Sequence, residues 1–174
     1  GKLAVPDAEA SRILYDVTQE VCDRHGLPAY EISNHARPGA ECRHNLVYWR
    51  YGEYAGIGPG AHGRLVTDEG RMAHSTEKRP EAWLERVEAE GQALIENERL
   101  NAEAQGDEYL LMGLRLVEGI DPAVFRALSG RALNERRVTS LVLDRLLVRK
   151  PGGKLACTPE GALVLDAVVA DLAA

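Results

Sequence analysis

Glycine recurs at every second position from 56 to 60, in the run Gly56-Ile57-Gly58-Pro59-Gly60-Ala61-His62-Gly63, and no other stretch restricts the chain so much. Successive residues of a strand point to opposite faces, so if Tyr54 to Ala61 is extended, one of its faces carries no side chains. Some other group must approach that face closely. Either the backbone reaches a ligand such as a nucleotide, or a bulged strand lies against a crowded centre. The run is not a phosphate-binding loop, which needs Lys-Ser/Thr after its last glycine. Its GxGxxG match (Gly58, Gly60, Gly63) precedes an expected hairpin where a dinucleotide site would have a helix.

The glycines close a stretch, Tyr30 to Gly63, that concentrates unusual side chains. It holds five of the nine aromatic residues (Tyr30, Tyr48, Trp49, Tyr51, Tyr54), three of the five histidines (His35, His44, His62) and Cys42. Cys42-Arg43-His44-Asn45 followed by Tyr48-Trp49 sets a thiol, an imidazole and two large rings within eight residues. Neutral imidazole is a common axial ligand of haem iron, and aromatic faces suit a flat macrocycle. The alternative is a histidine hydrogen-bonded in a loop, with Tyr48 and Trp49 packed as core. His62 turns a corner, and Cys22, Cys157, His25 and His74 read as structural or exposed. No Ser/His/Asp triad or carboxylate pair stands out, and Glu31 by itself is a weak acid/base candidate.

A chain of 174 residues with 45% hydrophobic content supports one good core or two small ones. No apolar run approaches the roughly 20 residues that span a bilayer. The N-terminus lacks a charged-then-apolar signal pattern, so a cytoplasmic location is expected. Three widely spaced cysteines without a CxxC pair fit a reducing compartment and argue against a disulfide framework or a self-contained metal site. The net charge of -6 gives no general attraction to nucleic acid. From Arg131 to Lys154, however, seven basic residues face two acidic ones, which keeps a nucleic-acid-binding alternative open.

Taken in order, Asp7 is placed to cap a helix with Ile13, Leu14, Val17 and Val21 on its inner face, ended by Gly26 and Pro28. A short strand from Ala29 to Ser33 would complete an αβ unit of a parallel sheet, but the chain supplies too few such units to close one. Arg64 to Thr67 and Arg71 to Ser75 flank Asp68-Glu69-Gly70 as a hairpin, and Pro80 opens a helix with Trp83, Leu84 and Val87 inward. From Asn101 the pattern changes to short-linked helices. One buries Leu110, Leu111, Leu114 and Val117 and stops at Gly119, the next starts at Asp121-Pro122, and Asn134 caps a third through Leu146. A β-hairpin around Pro151-Gly152-Gly153 leads to a last helix from Thr158-Pro159 that buries Leu163, Val164, Ala167, Val168 and Leu172. Three helices, a hairpin and a closing helix are the order of a winged-helix domain.

YEISNHARPG (30–39), CRHNLVYW (42–49), GIGPGAHG (56–63) and the run from EYLLMGLRLVEGID (108–121) to LACTPEGALVLD (155–166) resemble the oxygen-independent coproporphyrinogen III oxidase family of radical S-adenosylmethionine proteins, especially its HemW-type haem chaperone branch. The resemblance covers nearly the whole chain, and its most specific part is HNxxYW, His44-Asn45 with Tyr48-Trp49. It implies an α+β chain in which residues 1–100 are the remnant of a partial (β/α) barrel and residues 101–174 a helical, winged-helix-like domain. It implies a haem or porphyrin site using His44, Asn45, Tyr48 and Trp49, with His44 on the iron and Cys42 as the rival ligand. Gly56, Ile57, Gly58, Gly60 and Ala61 would lie beside cofactor or substrate at the barrel mouth. The family's CxxxCxxC, whose thiolates hold a [4Fe–4S] cluster, is absent from this sequence. S-adenosylmethionine and the cluster are therefore expected in a full-length parent, together with an N-terminal barrel portion, and this chain alone is expected to be inactive as an oxidase.

The cysteine spacing predicts that anaerobic reconstitution of this chain leaves it without an iron–sulfur cluster. Assay of iron and sulfide checks this, and about four of each per chain would contradict it.

Overall fold

The computed structural model describes residues 5–174, a mixed α and β chain. Helix α1 (Ala8–Arg24) leads through a bridged loop to the short α2 (Arg43–Trp49). Strands β1 (His62–Thr67) and β2 (Gly70–Thr76), helix α3 (Pro80–Glu90) and strand β3 (Leu94–Arg99) follow. Then come α4 (Ala102–Gly113), α5 (Pro122–Ser129), α6 (Glu135–Leu143), β4 (Leu147–Arg149), β5 (Leu155–Cys157), α7 (Pro159–Ala162) and α8 (Leu165–Ala173). The sheets are β1-β2-β3 and β4-β5, antiparallel throughout. Among the described residues there is no closed barrel, and the parallel pairing expected of a barrel remnant is not formed.

The local signals hold where side chains act on the nearest backbone. Asp7 accepts from the Ala10 amide at 2.8 Å, Asn134 from Arg136 at 3.0 Å and Thr158 from Gly161 at 3.0 Å, each satisfying an orphan donor of a helix start. The hairpin forms with Thr67 opposite Gly70.

Other expectations fail for identifiable reasons. Ala29 to Ser33 is not a strand: it makes two isolated bridges, Ala29 to His35 and Glu31 to Leu116, because the chain turns back around the Glu31 carboxylate. Tyr54 to Ala61 pairs at Tyr54 alone, opposite Arg64, and leaves the extended form at Gly58 and Gly60, whose φ values are +99° and +69°. β3 was missed because an edge strand reading Leu-Ile-Glu-Asn-Glu-Arg is exposed along nearly all its length and lacks the alternation that marks a half-buried strand. The apolar stripe of α1 exists, but Ile13, Leu14, Val17 and Val21 remain 39 to 56% exposed. Leu84 is likewise half exposed.

The core lies in the second half. Leu110, Phe125, Val138, Leu155, Val168 and Leu172 are fully buried against one another. Gly106 lets α4 and α5 touch, since a Cβ there would sit 2.6 Å from the Ser129 Cβ. α4 ends at Gly113, before the expected stop, which leaves Val117 exposed, and Leu111 is exposed on the outer face of the helix. The expected last helix breaks into α7 and α8, which turns Leu163 and Val164 to solvent, and Ala167 is exposed as well.

This distribution predicts the order of opening. Amide hydrogen exchange in α1, which buries no residue, should be faster than in α4 and α8. Equal protection would mean that the exposed stripe of α1 is covered in solution.

Candidate functional site

The residue before α2, Cys42, is exposed, extended and makes no capping bond. A four-residue step along α2 brings His44 and Tyr48 to one face. Their Nε2 and hydroxyl oxygen are 2.9 Å apart, and the rings meet edge to face with centroids 4.7 Å apart. Tyr48 meets Tyr54 in the same manner at 4.3 Å. Tyr54 is fixed in turn by a reciprocal backbone pair with Arg64, both bonds 2.8 Å. The result is a ladder of three rings that begins at an exposed imidazole and ends on β1. Burial raises the Tyr54 phenol above its ordinary pKa, against the opposing pull of the Arg64 charge. Asn45 turns away from the ladder and donates to the Tyr30 hydroxyl at 3.2 Å.

Trp49 does not join these rings. The Arg115 guanidinium lies 4.3 Å above its centroid, and its indole N–H is buried without a partner. Arg115 also donates to Glu31 at 2.9 Å. Glu31 has no exposed surface and accepts from the Ser33 amide at 2.8 Å, the Ser33 hydroxyl at 2.9 Å and the Asn34 amide group at 2.5 Å. Burial pushes its carboxyl upward, but the bonds from Ser33, Asn34 and Arg115 outweigh it and hold the group below its ordinary pKa. Glu31 is therefore an ionised anchor, not a poised acid.

A second carboxylate holds the chain just beyond the C-terminal end of α2. Glu108 on α4 accepts from the Tyr51 hydroxyl at 2.9 Å and from the Arg64 guanidinium at 2.7 Å. Arg71 lies 3.8 Å over the Tyr51 ring and donates to the carbonyls of Tyr51 and Gly52 at 2.8 and 2.7 Å. Tyr51 sits at φ +56°, a left-handed conformation that costs a non-glycine residue about 1 kcal/mol or more. Its phenol is pushed well above its ordinary value, chiefly by burial and then by Glu108. Arg115, Glu108, Arg64 and Arg71 carried no signal in the sequence that set them apart from other surface charges.

The glycine run is built against the chain itself. A Cβ at Gly56 would lie 2.2 Å from the His62 carbonyl oxygen, so β1 backbone fills the space there, whereas Gly58 faces open space and Gly60 meets Lys78 at ordinary contact distance. Thr76 pins the loop by donating to the Gly58 carbonyl at 2.6 Å and accepting from the Ala61 amide at 2.9 Å, while Gly60 donates to the Glu77 carbonyl at 2.8 Å. Ile57 projects from it, 90% exposed. The structure thus brings His44 and Tyr48 together, adds Tyr54, and assigns Asn45, Trp49 and the Gly56–Ala61 loop to separate packing sites.

In the C-terminal basic run, Arg131 donates to the Ala173 carbonyl, Arg137 to Asp171, Arg149 to Glu135 and Lys150 to the Val117 carbonyl. Burial raises the Cys157 thiol to about 11. Among the described residues no helix is long and apolar enough to cross a membrane, and no three His, Cys, Asp or Glu side chains converge as a metal site.

Residues 100–164 match the HemN C-terminal domain family. The chain is 35% identical to "Radical S-adenosyl methionine domain-containing protein 1, mitochondrial" of Danio rerio, over 97% of this chain and 40% of that protein. It is also 35% identical to "Heme chaperone HemW" of Mycobacterium tuberculosis (strain ATCC 25618 / H37Rv), over 99% of this chain and 42% of that one. Among solved structures, coproporphyrinogen III oxidase (HemN) from Escherichia coli, a radical SAM enzyme, shares the fold with a TM-score of 0.69. That match has 14% identity and covers 96% of this chain and 42% of that one. The chain thus spans about two-fifths of the length of these relatives.

The Glu31–Arg115 pair predicts both a magnitude and a pH dependence. Arg115→Ala strands a buried carboxylate and should cost about 3 kcal/mol in urea unfolding. Because the folded-state pKa of Glu31 is depressed, its contribution is complete above the ordinary value of 4.5 and is lost as pH falls through the lower folded value. Glu31→Gln should therefore flatten that part of the acid limb, and parallel acid limbs for the two proteins would contradict this.

Proposed function

As a member of the HemN/HemW-like radical SAM family, this chain is, we propose, the part of a haem-handling protein that receives the porphyrin at His44. The observation that carries the reading is the exposed imidazole at the head of the His44–Tyr48–Tyr54 ladder, within the HNxxYW stretch. The donor set fits the group: His44 is exposed, its Nδ1 makes no hydrogen bond among the described residues, and Tyr48 and Tyr54 stand beside it. Haem, when bound, would supply an iron that a neutral imidazole nitrogen can ligate. His44 would hold it, with Tyr48 as the neighbouring ring. Asn45, through Tyr30, and Trp49, through Arg115, hold α2 in place. Exposed Cys42 is the rival ligand.

The haem-chaperone branch is favoured over the oxidase because a relative bearing that name aligns with 35% identity over 99% of this chain, whereas the solved oxidase is 14% identical. S-adenosylmethionine and a [4Fe–4S] cluster belong, in this reading, to a longer protein, since the cysteines at 22, 42 and 157 lack the CxxxCxxC spacing. The stripe of Ile13, Leu14, Val17 and Val21 on α1 packs there against the barrel portion, and the Gly56–Ala61 loop borders its mouth. Residues 101–174 act as a winged-helix-like unit whose order α4, α5, α6, β4–β5, α7–α8 suits that description. A nucleic-acid role draws no support from a basic run in which four residues are engaged within the chain's own fold.

Haemin titration followed by absorbance tests this reading. His44→Ala should weaken binding at least about tenfold and shift the Soret band, while Cys42→Ala changes little. Equal binding by all three proteins would overturn the assignment of the site.

A further inference from the structure

The contact between Tyr48 and His44 bears on more than packing. A neutral imidazole carries one N–H and one lone pair, and the nitrogen that meets a metal is set by the hydrogen bond that the other one makes. In this structure Nε2 is bonded to the Tyr48 hydroxyl at 2.9 Å, and among the described residues His44 makes no other side-chain hydrogen bond. Asn45, the neighbour that could have competed, is committed to Tyr30. The tyrosine itself is not free to swing: its ring is held edge-on between His44 at 4.7 Å and Tyr54 at 4.3 Å, and the Tyr54 backbone is fastened to β1.

We propose that Tyr48 is a positioning residue that holds Nε2 of His44 and so presents Nδ1 as the metal-facing nitrogen. The claim deepens the haem reading and rests on it for the identity of the metal complex, but the hold on the ring is a property of the metal-free chain. A tyrosine hydroxyl both donates and accepts. It donates to Nε2 when that nitrogen bears the lone pair, and it accepts from Nε2–H when Nδ1 coordinates, so one contact serves both states without moving the ring. In the coordinated state the acceptor behind the imidazole raises the basicity of the ligating nitrogen, the service that carboxylates and carbonyls usually perform for metal-bound histidines.

The test uses the full 174-residue chain and its Tyr48→Phe variant, which keeps the ring ladder and removes one oxygen. Nitrogen-15 NMR of the metal-free proteins should show a hydrogen-bonded Nε2 in the wild type that is lost in Tyr48→Phe. Zinc protoporphyrin IX, which is diamagnetic, then reports the coordinated nitrogen. The wild type should bind through Nδ1, and the variant should bind about tenfold to a hundredfold more weakly with both nitrogens represented. Identical Nε2 signals in the two metal-free proteins overturn the proposal. So does coordination through Nε2, or binding by Tyr48→Phe that equals or exceeds the wild type. If the wild type takes up no porphyrin while the Nε2 signature still vanishes in Tyr48→Phe, the haem reading falls and the hold of Tyr48 on the ring stands.

Discussion

Glu108 is the junction on which the arrangement of this chain depends. Its carboxylate receives Tyr51 from the exit of α2 and Arg64 from β1, so one residue of α4 joins the ring-bearing helix and the three-stranded sheet to the second half of the chain. The Arg64 and Glu108 side chains are about one-fifth exposed, dry enough for the bidentate contact to be strong and wet enough to limit its desolvation cost. Arg71 completes the joint from β2 by covering the Tyr51 ring and binding the two carbonyls that follow α2. That grip explains how Tyr51, a bulky residue, is kept in a left-handed conformation.

The second fastening acts on the last residue of the same helix, Trp49. Glu31 organises its own loop, reaches Arg115 beyond α4, and through Arg115 covers Trp49. Helix α2 has seven residues and would not persist alone in water. Held at Trp49 and Tyr51 on its C-terminal side and through Asn45 to Tyr30 nearer its start, it becomes a fastened platform. Its remaining face carries His44 and Tyr48 outward, so the side chains that a flat ligand would meet stand on a part of the molecule that is fixed from behind. Rigid support of this kind is what a ligand-binding imidazole needs, since a loosely held ring loses orientation and affinity together.

Much of this was legible in the residues, and the remainder was hidden for physical reasons. Caps at Asp7, Asn134 and Thr158, the turn between β1 and β2, and the stop–start grammar of glycine and proline act over a few positions, so their effects can be read directly. His44 and Tyr48 are grouped by the HNxxYW pattern, but residues 42–49 read as a loop, and the helix α2 that brings the two to one face is not marked by the sequence. Glu31 and Arg115 are separated by 84 positions and Glu108 and Arg64 by 44, and nothing local marks either pair. Without those partners, Ala29 to Ser33 reads as a strand and Trp49 as a companion of Tyr48. Among the alternating glycines, close approach holds at Gly56 alone, where the neighbour is the His62 backbone, which pattern alone does not identify; Gly58 and Gly60 serve the turn with positive φ. On α1 the apolar stripe is visible in the sequence, yet its side chains remain exposed, because periodicity marks a face and not a partner for it.

The central claim is that the platform offers an imidazole nitrogen to porphyrin iron. X-ray absorption at the iron edge of the haemin-loaded chain examines that bond itself. The account predicts an axial nitrogen with the outer-shell scattering of an imidazole ring, which His44→Ala removes. A sulfur shell, or a spectrum that His44→Ala leaves unchanged, would contradict it.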